Sequence, residues 1–349
     1  KNLKSMVRSK YAIIVFLNLL VLYSFGQTDS LPSEDLIDYS QFSDAAGVRR
    51  YATQKVINQS PTRIVSIGYE HQSGFLMPEV PQDGTAPSKA NYNIERVSSM
   101  RAQLNLPVIS NDKFIWQLGA NYWGSYFIFK EQPDSKFERA LQNSGLHSLG
   151  LQSTIFKPLD EKHWLVFQVL GDFNSSFGSS STMLSNSLTI SGTAIYGWKY
   201  SEKNMFGLGL ARTYRAGAVL HVPVIFWNKT FNDRYGMELL LPARGFVRRN
   251  FSTTSMLQLG YEIEGNQFFM PGAAGSGDVF LQRGELKPRL MWDKQISGFI
   301  WLNVQAGMRL NWRFDAMSKA DSRENRDRLY EGKLTNPLYF AISLNFVSP

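Results

Sequence analysis

From residue 62 to the C-terminus, apolar and polar positions alternate in segment after segment. In FIWLNVQAGMRLNWRF (299–314), Ile300, Leu302, Val304, Ala306, Met308, Leu310, Trp312 and Phe314 share one parity; Asn303, Gln305, Gly307, Arg309, Asn311 and Arg313 share the other. In MLQLGYEIEG (256–265), Leu257, Leu259, Tyr261 and Ile263 oppose Gln258, Gly260, Glu262 and Glu264. SLTISGTAIYGW (187–198) sets Leu188, Ile190, Ala194, Tyr196 and Trp198 against Ser187, Thr189, Ser191 and Thr193. A helix would scatter these residues around its circumference, whereas a strand sorts them onto two sides. Soluble sandwiches alternate too. The segments here, however, are often about 12–16 residues long, against ~5–6 for a typical soluble strand. A tilted membrane strand needs ~9–11 residues for the hydrocarbon alone. Tyr196, Trp198, Trp292 and Trp312 stand near segment ends, as aromatic girdles do at membrane interfaces.

The connections fall into two kinds. Short polar ones lie at 110–113, 159–162, 201–204, 231–234 and 293–298, and long ones at 71–92, 131–144, 174–186, 270–278 and 316–334. The two kinds mostly alternate, as required of an outer-membrane barrel with periplasmic turns and extracellular loops. The reading is an all-β fold: a transmembrane antiparallel β-barrel of about 14 strands, with 12 as the alternative. The count turns on YGMELLLPARGFVRRNF (235–251), where Leu239-Leu240-Leu241 breaks the alternation and Pro242 interrupts the ladder. A tight reversal at Pro242 gives the larger number and puts both termini in the periplasm.

Composition narrows the picture further. Lys1, Lys4, Arg8 and Lys10 precede the apolar run 11–25, and Ser24-Phe25-Gly26 follows the small-x-small pattern. Residues 1–26 therefore read as a signal peptide, 27–60 as a periplasmic N-terminal segment that a lumen could take in, and 61–349 as the barrel. The net charge is +8, and the n-region supplies four of those charges. No cysteine is present, so disulfides and thiolate metal sites are excluded. Mean hydropathy is −0.23, and no later apolar run reaches the ~18 residues of a membrane helix. No nucleic-acid-reading motif is present.

PLYFAISLNF (337–346) is an alternating terminal strand with an aromatic near its end, similar to the signal read by the outer-membrane barrel assembly machinery. Together with the Gly26-Gln27 exit, LNLPVISNDKFIWQLGANY (104–122) and the Leu240-Leu241-Pro242 segment, it resembles an uncharacterised family of Gram-negative outer-membrane β-barrels over most of residues 60–349. The resemblance implies the fold and an outer-membrane location. It implies no substrate or catalytic residue.

Two constellations are candidates for function. His71-Gln72-Ser73 resembles the His-x-Ser-Asn-Gly run of outer-membrane lipid hydrolases, with Asn91 or Asn93 as the group that would orient the base. Gly74 stands where that family has asparagine. The second constellation is the lumen. Glu95, Arg101, Glu238, Glu262 and Glu264 lie on the polar parity of their segments, as do Arg283, Glu285, Lys287 and Arg289, and then Arg309 and Arg313. These would line a pore or cross-link a closed interior. The glycines of GLGLAR (207–212) form a smooth lumen strip, because no strand-to-helix switch follows for a phosphate loop. SRENRDR (322–328) reads as a surface loop facing solvent or lipopolysaccharide. No cofactor or metal is expected. The expectation is a porin-like path for small hydrophilic solutes, against a lipid hydrolase or a structural or adhesive barrel.

Overall fold

The computed structural model describes residues 51–78, 91–176, 183–274, 277–332 and 334–347. The expected signal peptide, residues 27–50 and most of the expected 71–92 loop lie outside the described residues. The strands are β1 (Arg63–Gln72, resumed as Phe75–Pro78), β2 (Asn91–Asn111), β3 (Phe114–Phe129), β4 (Leu146–Pro158), β5 (His163–Ser175), β6 (Leu188–Ser201) and β7 (Asn204–Thr213). They continue as β8 (Leu220–Thr230), β9 (Tyr235–Leu241), β10 (Arg244–Ser252), β11 (Ser255–Ala274), β12 (Gly277–Ser297), β13 (Ile300–Met308, resumed as Leu310–Met317) and β14 (Arg328–Glu331, resumed as Leu338–Val347). Each pairs antiparallel with its sequence neighbour, and β1 pairs with β14 (Ser66 opposite Asn345), so fourteen strands close a ring. The reversal at Pro242 is the tight one, joining β9 to β10.

Closure gives every strand a partner on each side, and the outward parity is apolar. Ile67, Leu151, Val169, Leu210, Leu259 and Phe340 are all exposed. Exposed leucines in such numbers, on a sheet with every ladder paired, are a lipid-facing wall. At the short-turn end Tyr196, Trp198, Phe206 and Trp227 meet successively edge-to-face, stacked and edge-to-face at 5.0, 6.2 and 6.2 Å, with Lys229 over Trp227 at 6.0 Å, forming an interfacial girdle.

The short turns have a common local cause. Asn111, Asp160, Ser201, Asn232 and Ser252 each accept, through the side-chain oxygen, the backbone N–H two residues on. This is the side-chain turn that Asx and Ser residues favour. Gly298, at φ +46°, makes the remaining one. Asp160 also accepts from the His163 backbone N–H, chiefly as a result of which its carboxyl falls from 3.8 to about 2. This contribution to the turn is complete above 3.8 and is lost only as pH falls towards 2.

The wall is not of one height. β9 and β10 are 7 and 9 residues long, whereas β11 and β12 are 20 and 21. β10 pairs with β11 only from Ser255 to Glu262. Higher up, β11 meets β5 directly, parallel, at Phe269 and Ser175. The lower tier therefore has all fourteen strands, and the upper tier has only β11 to β14 and β1 to β5. β6–β10 end at a shoulder between the tiers. The expected loop at 270–278 is the tip of the long β11–β12 hairpin.

Each tier has its own apolar filling. In the upper tier, Phe137 and Leu141 of helix α1 (Lys136–Asn143) enter the ring among Met77, Ile94, Phe127, Phe268, Leu281 and Phe314. Ser135 caps that helix by accepting from the Glu138 N–H. In the lower tier, Ala52 and Val56 pack among Phe156, Trp164, Ile195, Met205 and Val224. Residues 51–60 thus form a strap inside the short-turn mouth. The Trp164 ring lies where a side chain on Gly197 or Gly207 would stand, 2.1 and 2.8 Å from their ideal Cβ positions. The smooth strip expected from GLGLAR is this platform. Gly197→Leu is expected to destabilise the fold by about 3 kcal/mol through overpacking, measured as a lower midpoint in urea unfolding.

The expected alternation through Phe314 fails because β13 breaks at Arg309 and bulges at Trp312, where Glu285 faces Asn311 but Gly284 faces Arg313. Beyond the bulge Phe314 turns inward and is fully buried. Arg313 takes the opposite face, beside Asp315 at 3.6 Å, and does not line the lumen.

Candidate functional site: the lumen ion network

The lumen-facing positions of β11 and β12 alternate at spacing two, which puts 262 and 264 on β11 beside 283, 285, 287 and 289 on β12. Glu262 is opposite Lys287, and Glu264 is opposite Glu285. Two carboxylates directly opposite one another repel, so cations must come from other strands. Arg101 of β2 donates to Glu264 at 2.6 Å. Arg309, on the inward parity of Gly307 and Asn311, donates to both Glu285 and Glu70. Lys287 reaches Glu70 and Glu264, each at 3.2 Å. Arg283 pairs with Glu285 at 3.1 Å, and Arg289 pairs with Glu262.

Aromatic faces complete the shell. Lys287 and Arg309 lie over the Tyr339 ring at 4.7 and 5.4 Å, and Arg283 lies over Trp123 at 4.9 Å. Arg309, Lys287, Glu70 and Glu285 are buried, while 40% of the Arg101 side chain is exposed. The network therefore ties β1, β2, β11, β12 and β13 together on one side of the lumen and presents one side to water. An ion network this buried is costly to desolvate, and an intramembrane ionisable residue marks a functional site more often than a stabilising one.

Of the candidate lumen residues, Arg101, Glu262, Glu264, Arg283, Glu285, Lys287, Arg289 and Arg309 come together in this network. Glu238 lies apart, holding the strap: it accepts from Ser60 Oγ at 2.6 Å and pairs with Arg248 at 3.2 Å. Glu95 is exposed and pairs with Arg96 at 2.9 Å. Glu70, Trp123 and Tyr339 were not among the candidates. Glu70 was detectable, because it shares the parity of Ser66, Gly68 and Gln72, opposite to that of the exposed Ile67 and Tyr69.

Among the described residues no hydrogen bond joins His71 to Ser73. Ser73 Oγ accepts the Leu338 N–H at 3.0 Å, and the Ser73 N–H returns to the Leu338 carbonyl. His71 lies opposite Ser98 on β2. Asn93 and Asn91 are five and seven residues further along that strand, about 17 and 24 Å away at strand rise. Neither can orient the imidazole. Ser73→Ala is expected to leave phospholipid hydrolysis at the background of the lipid-only control and to cost about 1 kcal/mol of stability, the value of one hydrogen bond. An activity that this substitution abolishes would reverse the reading.

In fold, the chain is similar to a Pseudomonas aeruginosa FadL homologue, at 11% identity and a TM-score of 0.40 over 82% of this chain and 90% of that one. It is similar to an outer membrane channel from Pseudomonas putida, at 11% identity and 0.38 over 82% and 97%. It is also similar to the Pseudomonas putida toluene transporter TodX, at 8% and 0.34 over 85% and 95%. No curated protein matches it in sequence. Residues 57–346, from the strap to the last turn of the closing strand, match one family, and the chain belongs to it: the domain of unknown function DUF6268.

Proposed function

We propose that this barrel is a gated passive channel of the outer membrane for small polar solutes. The carrying observation is that its lumen holds a solvent-reached ion network on one side and, at the short-turn mouth, a short strap. The network occupies the β11–β2 side, with Arg101 and Glu264 exposed in part. Along β4–β9, residues 51–60 fill the short-turn mouth. The strap is held by individual hydrogen bonds and not by a strand ladder: Asp160, Lys199 and Glu202 hold Ala52, Thr53 and Ile57, and Thr230, Arg248, Asn250, Glu238 and Gln258 hold residues 57–60. Releasing it would clear the mouth without breaking the wall.

The partners that fit this reading are outer-membrane lipids around the apolar belt, lipopolysaccharide against Lys319, Arg323 and Arg326, and the assembly machinery at the β14 end. A second reading, a sealed structural or adhesive barrel, draws support from the packed upper tier. Planar-bilayer conductance separates the two. Residues 27–349 are expected to give rare, brief openings, and residues 61–349 stable ohmic steps. Silence from both, with folding verified by heat-modifiable gel mobility, would favour the sealed barrel.

A further inference from the structure

The lumen face of the lower tier carries a continuous row of directly opposed residues across eight strands: Trp164, Gly197, Gly207, Phe226, Leu240, Arg244, Glu262 and Lys287. Its chemistry changes at one point. From Trp164 to Leu240 the row is aromatic, glycine or aliphatic, and from Arg244 onward it is charged. This seam lies at the shoulder, because Leu240 and Arg244 flank the β9–β10 reversal.

Three guanidinium groups converge on the charged side. Arg289 and Arg215 both donate to Glu262, and Arg244 is within electrostatic reach of it. Arg215 belongs to the 214–219 connection, which fills the gap above the β9–β10 tip. Its neighbour Gly217 packs so closely on the Arg283 backbone that an added Cβ would be 2.8 Å from the carbonyl. The arginines outnumber the carboxylate they surround. Arg244 and Arg215 face solvent in large part, Arg215 with 46% of its side chain exposed. Arg289 Nε has no hydrogen-bond partner. On the apolar side Phe226 and Leu240 are only partly buried, leaving apolar surface beside the cations.

We infer that this seam binds an amphipathic organic anion, with its carboxylate or sulfonate between Arg215 and Arg244 and its apolar body against Leu240 and Phe226. A fully hydrated small anion would leave the apolar side unused, and an uncharged apolar molecule would leave the arginines without a new acceptor. The inference supplies a solute class for the proposed channel and rests on that reading only for what the site is for. Binding is measured without conduction, so either can fail alone.

The experiment is calorimetric titration of the folded barrel in nanodiscs, with empty nanodiscs subtracted. The probes are 4-butylbenzoate, its uncharged analogue 4-butylbenzamide, and acetate. We expect saturable one-site binding of 4-butylbenzoate, weakening as salt is raised, with the other two at least tenfold weaker. Arg215→Gln with Arg244→Gln should weaken 4-butylbenzoate at least tenfold and leave 4-butylbenzamide unchanged. Both arginines are exposed, so folding is not at stake. Leu240→Ser should weaken 4-butylbenzoate and leave acetate unchanged. Equal binding of benzoate and benzamide, an unaffected double variant, or no saturable binding above empty nanodiscs would overturn the proposal.

Discussion

Arg309→Ala is expected to destabilise the barrel by about 3–5 kcal/mol, the usual result of removing one partner of a buried ion pair. Arg309 is fully buried and donates to Glu70 and Glu285, which are themselves buried. With Arg309 gone, Glu70 keeps Lys287 and Glu285 keeps Arg283. Glu285 also still faces Glu264 across the β11–β12 ladder, so two carboxylates share too few cations. The double variant Arg309→Met, Glu70→Gln removes one charge of each sign, leaves Glu285 with Arg283 and Glu264 with Arg101 and Lys287, and should recover much of the loss. Urea unfolding of the refolded protein, followed by tryptophan fluorescence, measures both. A loss below about 1 kcal/mol, the range of a surface pair, would mean that water reaches Arg309 and that the network is not the closed core described.

Arg248→Ala is expected to release the strap while leaving the wall intact. The Arg248 guanidinium is fully buried, takes the Asn58 carbonyl and Thr230 Oγ1 as acceptors, and pairs with Glu238. Glu238 in turn holds Ser60 through backbone and hydroxyl. One substitution therefore loosens the attachment of residues 58–60, while Asp160, Lys199 and Glu202 still hold Ala52, Thr53 and Ile57. Residues 51–60 should become cleavable by protease from the short-turn side, and single-channel openings should lengthen towards those of residues 61–349. A variant that stays protease-resistant and behaves as the intact chain would show that burial of Ala52 and Val56, with the bonds to Asp160, Lys199 and Glu202, suffices to hold the strap.

The barrel itself was legible because a membrane wall writes a period of two into every strand, and because closure fixes which parity must be apolar. Outward Leu257 and Leu259 against inward Glu262 and Glu264 needed no structure. The short turns were equally legible, since their Asn, Asp and Ser side chains complete the turn within a few residues. Pro242 could be read as a reversal because proline cannot continue a ladder.

Other features depended on contacts between residues far apart in sequence. Parity put Arg101 and Glu264 inside, but 163 residues separate them, and only the folded ring brings β2 to β11. Parity also failed at one bulge, where a single extra residue moved Arg313 out and Phe314 in. The two tiers arose because β9 and β10 stop short while β11 and β12 run on to meet β5. Strand lengths hinted at this, and only the register fixed it. His71 and Ser73 were close in sequence, yet the Ser73 hydroxyl is taken by Leu338, 265 residues away. The sequence by itself determined the wall: its period, its turns, its apolar outside and the polarity of its inside. Tertiary structure alone decided how the inside is used, because alternation is a local property of each strand, whereas ion pairing, the strap and the shoulder seam are set by which strands face one another across the lumen.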